Sequence, residues 1–259
     1  MTHKSTLVLV HGSWHRPEQF GPLIDILHNQ HGYKCVPVSL PSMKHIPSTG
    51  HKGLADDTLA IRNTTVAELS NHPDTNVVVV AHSYGGIPTM NSLSSLDLTS
   101  RTSAGHKNYV AAAALLCAFV LTQGKTLTDI VLASSQPDPI FSFLDNGRTG
   151  IPHSPVYHFY HELPEAEAKR WSSMLQPQSL GAYGGAVTCE GFREVPTSYL
   201  VCTGDRALPV DAQRAMLEAM KPAEVRVEEI RGGHSLFLSV PGRVVEFVRS
   251  AGEVVYCGE

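Results

Sequence analysis

The chain has 259 residues, 42% apolar and 17% charged, with 21 Gly and 17 Pro. Its 20 Lys and Arg stand against 24 Asp and Glu, a net charge of −4. This excludes a disordered, collagen-like or low-complexity chain, leaves room for one domain with a continuous core, and lacks the basic field of a nucleic-acid binder.

Strand-like and helix-like stretches alternate. Residues 6–10 (Thr-Leu-Val-Leu-Val) are a short apolar, β-branched run that ends in His11-Gly12, as a buried parallel strand would. Phe20, Leu23, Ile24 and Leu27 recur at helical spacing over 17–30, and Gly32 closes that helix. A second strand is expected at 34–38. An amphipathic helix is expected over 54–70 through Leu54, Thr58, Ile61, Val66 and Leu69, stopping before Pro73. Four consecutive valines make 76–81 the clearest buried strand, and a helix is expected to follow over 84–96. The Ala-rich run 109–118 is ambiguous by period alone, and its place in the alternation favours a strand. Strands at 197–203 and 224–230 and helices at 210–220 and 240–249 complete the pattern.

Such alternation implies a doubly wound α/β architecture, a mostly parallel sheet with helices on both faces. Residues 120–195 break it, with Pro137, Pro139, Pro152, Pro155, Pro164, Pro177, many aromatics and one clear helix at 164–175. They are expected to form a small cap insertion over the sheet's edge, within a single domain spanning 1–259.

The strongest chemical signal is Ala81-His82-Ser83-Tyr84-Gly85-Gly86, a Gly-x-Ser-x-Gly pattern with Ala81 in place of the first glycine. A serine between a buried strand and a helix sits on a sharp turn that small neighbours keep free of clashes. It also lies at a helix start, where backbone N–H groups favour a developing oxyanion. A hydroxyl needs a base, and Gly232-Gly233-His234-Ser235 follows the last strand. The base needs an acid, and Thr203-Gly204-Asp205 ends the strand before it. Each of the three falls at the C-terminal end of an expected strand, where open α/β sheets place ligands. The order Ser83, Asp205, His234 is the one associated with α/β-hydrolases rather than with chymotrypsin-like or subtilisin-like enzymes. The loop His11-Gly12-Ser13-Trp14 after the first strand would supply a backbone N–H from Ser13, which with that of Tyr84 makes an oxyanion hole; losing one such donor costs on the order of 3 kcal/mol of transition-state stabilisation.

On these motifs, with Pro209 and Gln213, the chain resembles the α/β-hydrolase fold superfamily over nearly its whole length. It is most similar to the group of small methylesterases, salicylate-binding proteins and hydroxynitrile lyases, and to related fungal hydrolases. The resemblance implies Ser83 as nucleophile, His234 as base and Asp205 as acid. Hydroxynitrile lyases of that group carry a threonine at the position of Gly12 and a lysine directly after the histidine. Ser235 offers no ammonium to a cyanide leaving group, so cyanohydrin cleavage is disfavoured. The esterases usually carry methionine there, so a more polar wall is expected at Ser235.

The substrate pocket is expected to draw on Gly12, Trp14, His82, Phe119, Tyr157, Tyr160 and Ser235, with Phe141, Phe143, Phe159, Trp171 and Tyr183 as further aromatic candidates. His153, His158 and His161 lack a paired carboxylate at helical spacing and are expected on a solvated surface, not on a metal. His11 and His15 are four apart, but Gly12 and Pro17 argue against a helix joining them. Cys35, Cys117, Cys189, Cys202 and Cys257 are odd in number and contain no Cys-x-x-Cys, so they read as buried reduced thiols. The longest apolar stretches, such as 109–121, are too short to span a bilayer, and the first residues lack the pattern of a secretory signal. No lipidation or retention signal is evident at 256–259. The expectation is a cytoplasmic serine esterase, monomeric or homodimeric, that needs no metal or organic cofactor. It would cleave an ester, lactone or thioester of a small apolar molecule without nucleic-acid or membrane partners. A lyase, retro-aldol or acyl-transfer reaction on the same residues, and a small-molecule receptor on a hydrolase scaffold, remain open.

Overall fold

A strand can hide four valines in a row only if both faces of its sheet are covered, and this governs the architecture. The computed structural model describes residues 4–43, 51–133, 140–144 and 148–252, with the backbone alone at 132 and 133. Cys257, the C-terminal residues 256–259, Pro137 and Pro139 lie outside the described residues.

The elements run β1 (Thr6–Val10), a 3₁₀ turn (Pro17–Phe20), α1 (Gly21–Asn29), β2 (Cys35–Val38), α2 (Leu54–Asn71), β3 (Val77–His82) and α3 (Gly86–Ser92). Next come α4 (Leu98–Ser103), β4 (Val110–Leu116), α5 (Leu127–Ala133), β5 (Phe141–Leu144), β6 (Thr149–Pro152), α6 (Pro155–Phe159) and α7 (Glu165–Ser172). The chain then forms β7 (Gln178–Ser179), α8 (Gly181–Gly184), β8 (Thr197–Cys202), α9 (Val210–Ala219), β9 (Val225–Ile230), α10 (Leu236–Ser239) and α11 (Pro241–Gly252).

Six strands form one parallel sheet in the order β2-β1-β3-β4-β8-β9. Alternate residues of each strand enter opposite layers, as the two-residue period requires. Val8, Val10, Val77, Val79, Ala113, Leu115 and Tyr199 join Ile61, Leu69, Met90 and Met216 on one face. On the other, Leu7, Leu9, Val78, Val80, Ala112, Ala114 and Leu200 pack with Leu23, Leu27, Phe237, Val244 and Phe247. Edge strand β9 carries Arg226, Glu228 and Glu229 and is only partly buried, which suits a strand with water on one side.

Two expected helices differ in detail. The 17–30 helix opens as a 3₁₀ turn, with the α-helix proper starting at Gly21. The 84–96 helix is shorter: Ser83–Gly85 is a 3₁₀ turn and α3 ends at Ser92. The chain reverses near Ser95, at φ +60°, and restarts as α4 under an Asp97 cap that accepts from the Ser100 amide at 3.0 Å. The segment between β4 and β8 holds more order than one helix, namely α5 to α8 and an antiparallel sheet β5-β6-β7. It lies against the loop after β1: Trp14 Nε1 donates to the Gly150 carbonyl at 3.1 Å, and the Gln176 amide to the Trp14 carbonyl at 2.8 Å.

Gly86 lets α3 begin hard against the end of β4. A Cβ there would stand 2.4 Å from the Phe119 carbonyl oxygen and 2.9 Å from the Ala118 Cβ. Gly86→Ala is therefore expected to destabilise the protein by about 1–3 kcal/mol, as overpacking does. Urea unfolding would register this as a lower midpoint at unchanged slope, and a midpoint equal to the parent's would contradict the tight contact.

Candidate active site

The loops that leave the C-terminal ends of β1, β3, β8 and β9 carry the residues singled out above. Ser83 follows β3 directly at φ +52°, a left-handed conformation that a non-glycine residue adopts only under constraint. The constraint is visible on both sides. The Ser83 carbonyl accepts from the Phe119 amide at 2.9 Å. Gly12 lies so close that a Cβ on it would meet the Ser83 Cβ at 2.7 Å and Oγ at 3.1 Å.

His234 Nε2 lies 3.0 Å from Ser83 Oγ, and its Nδ1 lies 2.7 Å from Asp205 Oδ2. Both partners of the imidazole–carboxylate contact are buried. The second oxygen, Oδ1, accepts from the Ala207 and Leu208 amides at 2.8 and 2.9 Å, so the carboxylate is fixed and Nδ1 is the protonated nitrogen. The Nε2 lone pair is thereby left to the serine hydroxyl. The His234 carbonyl is held in turn by His82 Nε2–H at 2.9 Å and the Cys117 thiol at 3.4 Å. Glu162, from the segment between β4 and β8, accepts from the Gly233 amide at 2.6 Å and from Ser239 Oγ at 3.0 Å.

The loop after β1 is fixed by imidazoles. His11 Nδ1–H donates to the Gly12 carbonyl at 3.0 Å, and His15 Nδ1–H to the Ser13 carbonyl at 2.7 Å. Their other nitrogens accept, from the Leu40 amide at 3.4 Å and the Tyr160 hydroxyl at 3.2 Å. In a planar trans peptide N–H and C=O point oppositely, so tying down the Gly12 carbonyl also aims the Ser13 amide. Burial keeps these rings neutral: it lowers His11 to about 4 and His15 to about 3. His82 is also pushed well below the ordinary histidine range, by burial first and by His234 and His15 next.

Tyr84, the residue after the serine, donates its hydroxyl to Asp57 Oδ2 at 2.6 Å. Ser42 gives the same carboxylate its amide at 2.8 Å and its hydroxyl at 2.6 Å. Burial still outweighs these donors and raises Asp57 to about 6.

Above the serine opens a cavity of about 870 Å³. Trp14, Phe119, Phe141, Phe143, Phe159 and Tyr183 line it, with Leu121, Leu127, Ile130, Leu208, Ala212 and Met216. Ser13, Ser83 and His234 reach its surface. Other expected pocket residues do not. Gly12 packs on Ser83 beneath the cavity. His82 points away from the serine, toward the His234 carbonyl, as neighbouring residues at a strand end must. Tyr160 is buried against Gln19 and His15, and Ser235 is buried off the wall. Tyr157 is half-exposed in a separate surface hollow beside Arg206. Trp171 is buried elsewhere. His158, expected on a solvated surface, is buried with Nδ1 3.2 Å from the Arg206 carbonyl, whereas His153 is exposed. The residues from His11 to His15 are not helical. Cys117 and Cys202 are buried free thiols, but Cys35 and Cys189 are only partly buried.

Asp57, Glu162 and the cavity face of α9 were not singled out from sequence. For Asp57 a signal existed, because Leu54, Asp57, Ile61, Thr65 and Leu69 form one buried stripe of α2. On α9, Ala212, Met216 and Ala219 recur at helical spacing. Glu162 carries no local pattern that would reveal it. One group of potential metal-binding side chains occurs among the described residues, His82, Cys117 and His234, and His234 spends both ring nitrogens on Ser83 and Asp205.

A family model described as the alpha/beta hydrolase family matches residues 7–247. The chain is 29% identical over 257 residues to the alpha/beta hydrolase nvfD of Aspergillus novofumigatus (strain IBT 16806), covering 97% of this chain and 98% of that protein. Among solved structures it is similar to tomato methylketone synthase I complexed with 2-tridecanone. That likeness has a TM-score of 0.75 at 17% identity and covers 97% and 98% of the two chains. It is also similar to a methylesterase protein, MES16, from Arabidopsis, with a TM-score of 0.71 at 19% identity, covering 97% and 100%. No helix among the described residues is long and apolar enough to cross a membrane.

The buried histidines make stability depend on pH. Below pH 6.5 the unfolded chain takes up protons that folded His11 and His15 refuse until about pH 4 and 3, so stability falls on acidification through that window. Asp57 acts oppositely. It keeps its proton to about pH 6 when folded but loses it near 3.8 when unfolded, so its share of stability falls as pH rises between those values. The histidines outnumber it. Urea unfolding between pH 7 and 4.5 is expected to show declining stability, with a shallower decline in His15→Gln; an identical slope in that variant would contradict the neutral buried ring.

Proposed function

The chain belongs to the alpha/beta hydrolase family, and within it we propose a serine hydrolase that cleaves a carboxylic ester, lactone or thioester of a small, largely apolar molecule. The observation that carries this reading is the single imidazole spanning Ser83 Oγ and Asp205 at 3.0 and 2.7 Å on the wall of an apolar cavity.

His234 Nε2 takes the hydroxyl proton as Ser83 Oγ attacks the carbonyl carbon, and Asp205 stabilises the resulting imidazolium. The tetrahedral oxyanion rests on the Ser13 and Tyr84 amides. The former is aimed by the His11 contact to the Gly12 carbonyl. The latter belongs to a residue whose side chain is tethered to Asp57. Collapse of the intermediate expels the alkoxide or thiolate, which leaves with the imidazolium proton. Water, deprotonated by the same ring, then attacks the acyl-enzyme and releases the acid while Ser83 regains its proton. The preformed donors do their work because burial keeps bulk water from competing with them. Residues 120–195 serve as a cap that supplies part of the apolar wall, and the protein acts in the cytoplasm.

Turnover of p-nitrophenyl esters of short and medium acyl chains tests this. Ser83→Ala is expected to lower kcat/KM by at least about 10³-fold, and Asp205→Asn by a smaller but still large factor through loss of the imidazole's orientation. Ester turnover that persists unchanged in Ser83→Ala would remove Ser83 as the nucleophile. Tight ligand binding without turnover in the parent protein would favour a receptor instead.

A further inference from the structure

In the cavity, the hydrogen bonds of the buried polar side chains leave one donor over. Ser83 gives its proton to His234 Nε2, and His234 gives its Nδ1 proton to Asp205. Thr122, Lys125 and Asp129 stand on the more exposed part of the wall. The buried pair that remains is Ser13 and Tyr183, whose Oγ and hydroxyl lie 2.9 Å apart. Two hydroxyls carry two protons, and one contact uses one of them. Whichever oxygen donates, one O–H is left without a partner among the described residues.

Both oxygens belong to residues on the cavity wall that Ser83 shares. Ser13 directly follows Gly12, the residue packed on Ser83. Tyr183, on α8, is clamped by a stacked Tyr84 ring at 6.1 Å and by edge-to-face contacts with Trp14 and Phe141 at 6.4 and 5.7 Å. Burial lifts its phenol above the usual range, so it stays a neutral donor at any working pH. Phe119, Phe141, Phe159 and Leu208 on the same cavity wall offer no acceptor side chain. A rigid, unspent donor in an apolar chamber penalises any occupant that cannot accept from it.

We propose that the Ser13–Tyr183 hydroxyl pair is a specificity element that selects acyl substrates carrying a second acceptor oxygen (keto, hydroxy or ether) close to the scissile carbonyl. This rests on the hydrolase reading above and narrows it, from apolar esters in general to oxygenated ones. The pair acts by binding and takes no part in proton transfer to the leaving group.

Matched p-nitrophenyl esters that differ by one oxygen test it, 3-methoxypropanoate against pentanoate and 3-oxobutanoate against butanoate. The readout is the ratio of kcat/KM within each pair, compared between the parent protein and the Ser13→Ala/Tyr183→Phe double variant, so that the intrinsic reactivity of each ester cancels. The parent's ratio is expected to exceed that of the double variant by at least 10-fold. Equal ratios in the two proteins would overturn the proposal while leaving the hydrolase reading intact. Calorimetric titration of the same esters into Ser83→Ala, with and without the two substitutions, needs no turnover. There the oxygenated ester is expected to bind more tightly only when both hydroxyls are present, and equal affinities would overturn the proposal whether or not the parent hydrolyses anything. Failure of the parent to turn over any ester, with that binding preference intact, would remove the hydrolase reading alone. Thermal melting of the double variant, which keeps both the aromatic ring and the backbone, checks that it folds.

Discussion

The constraint on which the arrangement depends is the space around the residue that follows β3. Ser83 holds a left-handed backbone because Gly12 occupies one side with no room for a Cβ, while Gly86 lets α3 close against the Phe119 carbonyl on the other. A backbone held this way costs of order 1–3 kcal/mol, and a rigid parallel sheet can sustain that cost. Relaxing the turn would swing the hydroxyl away from His234. Packing of the strands and geometry of the site are therefore one problem.

The same economy governs the polar groups. Around the site, buried polar side chains tie down the loops at the C-terminal ends of the strands. His11 and His15 hold carbonyls, Asp57 holds Tyr84, and Asp205 holds His234. In a low-dielectric interior each such contact is costly to leave unmade, so it also fixes the loop that bears it. These contacts hold Ser83, His234 and Asp205 in one fixed arrangement. The one buried side-chain pair in the cavity with a proton to spare faces the space a substrate would fill.

Much of the central sheet was legible because burial on both faces leaves unbroken apolar runs. Ser83, Asp205 and His234 could be singled out because each lies within four residues of the end of a strand, so the local sequence announces a sheet end. The segment between β4 and β8 resisted reading. Its strands are two to four residues long, too short to show a period. The same physics explains the pocket residues that were misplaced. His82 and Ser235 adjoin the reactive residues in sequence, but neighbours along an extended chain or a tight turn point to different sides. Tyr157 and Tyr160 sit three apart near one short helix, and one meets solvent while the other meets Gln19. Asp57 was overlooked although it sits on the buried stripe of α2, because a carboxylate beside Asp56 looks like solvated surface until its donors are known.

The convergence of hydroxyl, imidazole and carboxylate in one reactive unit is tested most directly by covalent labelling. A fluorophosphonate added to the native protein, followed by peptide mass spectrometry, is expected to place one phosphonyl group on Ser83, with labelling abolished in His234→Ala. An adduct on another residue, or undiminished labelling of Ser83 without the imidazole, would contradict it.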